Sequence, residues 1–117
     1  MPIDTLIENL SDQVELHAVL MEMLEDESEL PASCSVQELE DLHSVRDMAV
    51  QNIATLEKSR IAIIEDYQNS HQLKGPINLT DIIGKSSEGD KKQLIELRDQ
   101  LKQLMNTIQK LSKKIAG

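Results

Sequence analysis

Ile3, Ile7, Leu10, Val14, His17, Met21 and Leu24 follow one another at alternating steps of four and three, the spacing of one helix face. Leu6, Leu16, Val19, Leu20 and Met23 widen that stripe, so the first helix faces more than one neighbour. It starts near Pro2, a residue tolerated in a first helical turn. It fades in the acidic run Glu25-Asp26-Glu27-Ser28-Glu29, because acids oppose the dipole at a helix C-terminus, and Pro31 ends it. Pro31-Ala32-Ser33-Cys34 reads as a short turn. Ser35 and Glu38 then fit a capping box, each side chain taking an orphan backbone N–H.

A second helical pattern follows: Leu39, Leu42, Arg46, Ala49, Ile53, Leu56, Arg60, Ile63 and Tyr67, with Val45, Met48, Val50, Ile61 and Ile64 broadening it. It runs to about His71, roughly 50 Å at about 1.5 Å per residue. A connection of only a few residues makes the first two helices an antiparallel hairpin. Gly75-Pro76 breaks the second helix, and Ile77-Asn78-Leu79-Thr80-Asp81-Ile82-Ile83-Gly84 predicts a capped single turn closed by Gly and packed on the bundle end. Lys85-Ser86-Ser87-Glu88-Gly89-Asp90 reads as a polar, flexible linker. Beyond it Leu94, Leu97, Leu101, Leu104, Ile108, Leu111 and Ile115 keep a strict 3-4 alternation, a coiled-coil-like seam. Only Ile95 and Met105 broaden this third long helix, so it buries one seam and wets the rest. It exposes the least apolar area on detaching. The pattern predicts an all-α fold in a single domain, 1–117. Its helices lie at about 2–29, 36–71 and 90–115 with a turn at 78–84. They form an antiparallel hairpin plus a C-terminal amphipathic helix, a three-helix, coiled-coil-like bundle.

Composition sharpens this picture. The 117 residues include one Tyr (Tyr67), no Phe and no Trp, and hydrophobic residues make up 39%. Broad sandwich and α/β cores use several large aromatics, and base-stacking platforms need them, so both are disfavoured. Residues 1–70 hold 16 acids and 3 bases, whereas 71–117 hold 5 acids and 9 bases. The acidic body repels nucleic acid and anionic lipid, and the basic C-terminal segment is expected to lie against it. Cys34 is the only cysteine, which suits a reducing compartment. Met1-Pro2-Ile3-Asp4 has no signal-peptide character, and the longest apolar stretch, Ile61-Ala62-Ile63-Ile64, is far too short for a membrane span. A soluble cytoplasmic protein is expected.

No constellation for catalysis, cofactor or metal binding emerges. Gly84-Lys85-Ser86 resembles the end of a phosphate-binding loop, but Leu79 stands where that motif needs Gly. His17, His43 and His71 have no partners at ligand spacing: His17 reads as a half-buried packing residue and the other two as surface residues. Arg46 and Arg60, two heptads apart on one face, are expected to lay their stems on the core and pair with acids of the first helix, Arg60 near Asp4 and Glu8. Tyr67 reads as a bundle-end packing residue. The C-terminal seam has several possible uses: a groove for another helix, the third helix of a closed bundle, or a homodimer interface.

Taken in order, these segments resemble the FlgN-type flagellar export chaperones. Leu20-Met21-Glu22-Met23-Leu24-Glu25-Asp26-Glu27 is similar to the family's first-helix leucines followed by glutamate. The stretch Ile53-Ala54-Thr55-Leu56-Glu57-Lys58-Ser59-Arg60 is similar to its Leu-Glu-x-x-Arg segment. Ile77 to Ile83 resembles the short segment opening the second half, and Leu94 to Leu111 its C-terminal amphipathic helix. The resemblance implies a cytosolic, non-enzymatic chaperone. It would hold hook-associated proteins of the hook–filament junction (FlgK and FlgL) by their C-terminal helices and deliver them to the flagellar export apparatus. The client contacts it implies are Leu94, Leu97, Leu101, Leu104, Ile108, Leu111 and Ile115. Family members often continue beyond this helix, sometimes with a Tyr used at the export gate, whereas this sequence stops at Gly117. The alternative is a coiled-coil adaptor or bundle subunit without client selectivity.

Overall fold

The helical spacing of the apolar residues is realised almost throughout. A computed structural model describes residues 2–75 and 77–116. Its elements are α1 (Pro2–Ser28), α2 (Val36–Ser70), the single-turn α3 (Leu79–Gly84) and α4 (Glu88–Ala116), with no strand among the described residues. The fold is all-α, and its extents of 58 × 21 × 21 Å are set by the 35-residue α2.

Local chemistry sets the boundaries. Ser35 caps α2 by accepting the Glu38 N–H (3.1 Å). The expected capping box is only half made, because the Glu38 carboxylate instead accepts from the Cys34 thiol (3.3 Å). The full box lies at α3, where Asn78 and Asp81 exchange side-chain-to-backbone bonds of 3.0 and 2.9 Å. The C-terminus of α2 forms before the Gly75-Pro76 break. The Leu73 N–H reaches the Gln68 carbonyl and the Gln72 N–H reaches that of Asn69, while Gln72 sits at φ 52°, a Schellman closure made without glycine. Pro76 lies outside the described residues. The polar connection ahead of α4 is shorter than expected, because Ser87 accepts the Asp90 N–H and draws Glu88, Gly89 and Asp90 into the helix.

The wide stripe of α1 makes it the central helix. It packs on α2, antiparallel, and on α4, parallel, whereas α2 and α4 scarcely touch. Much of the broadened face of α2 is therefore not covered: Val45, Met48, Val50 and Ile61 are exposed. The core divides in two. At one end Leu6 and Leu10 of α1 meet Tyr67, Ile82, Ile83, Leu94 and Leu101. At the other, Leu20 and Leu24 meet Ile53, with Ile108, Leu111 and Ile115 packed half-buried against them. Between these clusters the buried lane of α1 turns polar, through Asn9, Gln13 and His17.

Candidate functional site

The amphipathicity of α4 places all seven seam residues on the side facing α1, but not to equal depth. Leu94 is fully buried and Leu101 nearly so, while Leu97, Leu104, Ile108, Leu111 and Ile115 are half-buried. The N-terminal part of α4 is also braced by α3, whose Ile82 and Ile83 pack into the larger cluster. The C-terminal part lies beside an open apolar cleft of about 350 Å³, lined by Leu20, Leu24, Val50, Ile108 and Ile115, with Glu27 and Arg46 at its edge. Helix four is thus held firmly at its start and loosely at its end.

Electrostatics adds no tether. Among the described residues no ion pair joins α4 to α1 or α2. The basic C-terminal segment lies against the acidic body, as expected, but through its apolar seam and not through charge pairs. The reason is geometric: Asp4, Glu8 and Glu22 of α1 are exposed, and Asp12 and Glu15 border a cleft with α2 instead of α4. Arg60 likewise does not reach Asp4 or Glu8. Its Nε–H is buried without a hydrogen-bond partner, a state that costs about 1–3 kcal/mol. It lines a cleft of about 310 Å³ shared with Leu79 of α3 and with Arg98, Leu101, Lys102 and Met105 of α4.

Arg46 behaves as expected and pairs with Glu27 (3.1 Å), whose side chain is 7% exposed. His43, read from sequence as a surface residue, also donates to Glu27 (2.7 Å). These two α2 groups compensate an acid at the unfavourable end of the α1 dipole. The positions of Glu27, His43 and Arg46 about a turn near residue 34 held that signal. The polar lane of α1 is the other feature that sequence reasoning missed. Gln13 Nε2 donates to Asn9 Oδ1 (2.8 Å), Asn9 Nδ2 donates to the Leu56 carbonyl (2.9 Å), and His17 Nδ1 donates to the Gln13 carbonyl (2.7 Å). A carbonyl only accepts, so Nδ1 carries the proton. Asn9, Gln13 and His17 recur at steps of four inside the apolar stripe, which is the signal that identifies them. His17 is fully, not half, buried.

Tyr67 is buried at the bundle end, as predicted, and stacks on His71 with ring centroids 4.1 Å apart. Cys34 lies in the turn, and loss of hydration, then its bond to Glu38 and that residue's charge, push its thiol above the usual range. Among the described residues no cluster of three or more His, Cys, Asp or Glu has metal-ligating geometry, and no helix is long and apolar enough to cross a membrane.

The arrangement of a long hairpin, a capped turn and a C-terminal amphipathic helix has a family counterpart: the family model described as FlgN protein matches residues 1–116. The chain belongs to the FlgN family. A flagellar export chaperone role in general follows from FlgN membership. No curated protein and no solved structure matches the chain. The FlgN match extends through α4, so the seam lies within the part of the chain that the family shares.

Proposed function

We propose that this FlgN-family chain holds hook-associated proteins of the hook–filament junction in the cytoplasm and delivers them to the flagellar export apparatus, using the seam of α4 as the grip. The observation that carries the reading is the loose seating of the last turns of α4. There Leu104, Ile108, Leu111 and Ile115 are half-buried, Ile108 and Ile115 line an apolar cleft, and among the described residues no ion pair ties α4 to the body. A client helix presenting apolar anchors at i, i+3, i+4 and i+7 has the same chemistry as the α1 face it would replace. Exchange of one apolar partner for the other costs little net free energy. The reading is non-catalytic: holding by mass action needs no nucleotide and no bond-making side chain.

The test is co-expression with hook-associated proteins and isolation of the complex. Ile108→Glu with Ile115→Glu, both half-buried positions, should abolish the complex while circular dichroism still reports an intact helical hairpin. A second variant controls for damage to the fold. Met21→Cys with Thr107→Cys, in a Cys34→Ser background, places thiols on two sides of one α1–α4 cleft. Oxidation should lock α4 down and block client binding, and reduction should restore it. Client binding that survives the lock rejects release of α4. A chain that binds no hook-associated protein is instead an adaptor or bundle subunit, and self-association lost on Ile108→Glu identifies the seam as a homodimer interface.

A further inference from the structure

One cleft brings a base of the acidic body together with two bases of the C-terminal helix. Arg60 is one of only three bases in residues 1–70, yet it sits beside Arg98 and Lys102 on a cleft whose remaining walls include Leu79, Leu101 and Met105. The Arg60 Nε–H is buried and unsatisfied. Arg98 gives its Nε–H to Asp99 (3.3 Å), and Lys102 is exposed with no ion pair among the described residues. The Arg60 guanidinium lines the cleft, and a guanidinium fork matches a carboxylate, whose two oxygens accept from it. The leucine and methionine walls match the apolar neighbours that a carboxylate has on an amphipathic helix.

We infer that this cleft, between α2 and α4 with α4 docked, binds a Glu or Asp side chain displayed on an amphipathic helical segment of a partner protein. The carboxylate occupies the Arg60–Arg98–Lys102 corner and its apolar neighbours rest on Leu101 and Met105. Charge complementarity selects this occupant over a nucleic acid. A polyanion that reached the three cations would find further bases only along α4, because α1 has no Lys or Arg and α2 is net acidic. A single carboxylate meets only the local field. The site needs α4 in place, so it is separate from the release of α4 proposed above.

The probe is a synthetic helical peptide with leucines at i and i+4 and one glutamate beside them, set against its glutamine twin. Both are titrated into the full chain carrying ¹³C-methyl methionine, because Met105 lines the cleft and reports on it. The expected result is a shift of the Met105 methyl with the glutamate peptide and binding about tenfold or more weaker for the glutamine twin, as removal of a charged hydrogen-bond partner predicts. Arg60→Gln should erase the difference between the two peptides. Lys102→Gln, an exposed change that leaves packing alone, should reduce it and flatten its salt dependence. Equal binding of the twins, an unmoved Met105 methyl, or full discrimination in the folded Arg60 and Lys102 variants overturns the inference. A Met105 shift that grows with protein concentration in the absence of peptide also overturns it, by making a second copy the occupant. The oxidised Met21→Cys/Thr107→Cys variant should keep this peptide site while losing the client, which separates failure here from failure of the chaperone reading.

Discussion

The two ends of the bundle use the same kinds of residue to different effect. At the end built from the start of α1, the close of α2, α3 and the start of α4, four elements converge and seven apolar residues are buried. At the opposite end the cluster has only three buried residues, and the last turns of α4 contribute only half-buried side chains. The difference does not come from the seam, which keeps its 3-4 alternation to Ile115. It comes from what surrounds the seam. The support of α3 exists at one end only, and at the other Val50 of α2 lines a cleft. A regular amphipathic helix thereby acquires an anchored half and a releasable half.

The largest effect tests this contrast directly. Leu94→Ala removes a side chain of zero exposure and should destabilise the protein by about 3–4 kcal/mol, while Ile115→Ala should cost about 1 kcal/mol or less. Urea unfolding of both variants measures the pair. Equal losses would break the comparison, because they would mean that α4 is seated uniformly. Native-state amide exchange sharpens it: the turns from Ile108 onward should exchange at least about tenfold faster than those around Leu94, each factor of ten being about 1.4 kcal/mol of opening free energy.

The polar lane between the clusters is the next lever. Asn9→Ala deletes the bond to the Leu56 carbonyl and leaves the buried Gln13 amide without its acceptor, which should cost about 1–3 kcal/mol in thermal unfolding. Asn9→Leu with Gln13→Leu removes both partners together and should be near neutral. It would fuse the two clusters and raise exchange protection in the looser end toward that of the firmer one. A buried polar residue lowers stability and fixes register in helical seams, and the lane sets α2 against α1 through Asn9 and Leu56. If the double variant is as unstable as Asn9→Ala, the lane is packing and not a divider.

Helix identities and the hairpin were legible because burial and helical periodicity are local properties of α1, α2 and α4. The seam residues were legible for the same reason. What periodicity does not encode is how many neighbours a stripe meets. The broad stripe of α1 is satisfied by two helices, whereas the equally broad one of α2 is left partly exposed at Val45, Met48 and Ile61. Pair chemistry was half legible. Arg46 finds Glu27, but Arg60 turns toward α4, and the acids it was matched with lie exposed on α1. The polar lane was hidden by treating His17 as one more member of an apolar stripe, when Gln13 and Asn9 continue it toward the start of α1 at steps of four.

Smaller effects test how each end is closed. Glu27→Gln at the looser end removes the charge that His43 and Arg46 share, and should cost about 1 kcal/mol while loosening the turn between α1 and α2. At the firmer end Gln72→Gly relieves a left-handed residue at the close of α2. Strain relief outweighs the entropy that glycine adds to the unfolded chain, so a gain of a few tenths to about 1 kcal/mol is expected in the unfolding midpoint.

Cys34 gives the finest reading of the turn. Desolvation and the neighbouring Glu38 both disfavour its thiolate, so its pKa is raised and the thiol stays protonated at neutral pH. Alkylation should therefore be slower than for a free cysteine at neutral pH, with the rate rising only above the usual thiol range. Glu38→Gln removes the charge and the acidic acceptor while keeping the Ser35 cap, whose bond is to the Glu38 backbone and not to its side chain. The alkylation profile should then move to lower pH with the melting temperature unchanged. A profile that stays put would assign the raised pKa to desolvation alone. A fall in melting temperature would show that the Cys34–Glu38 contact helps hold the turn at the looser end.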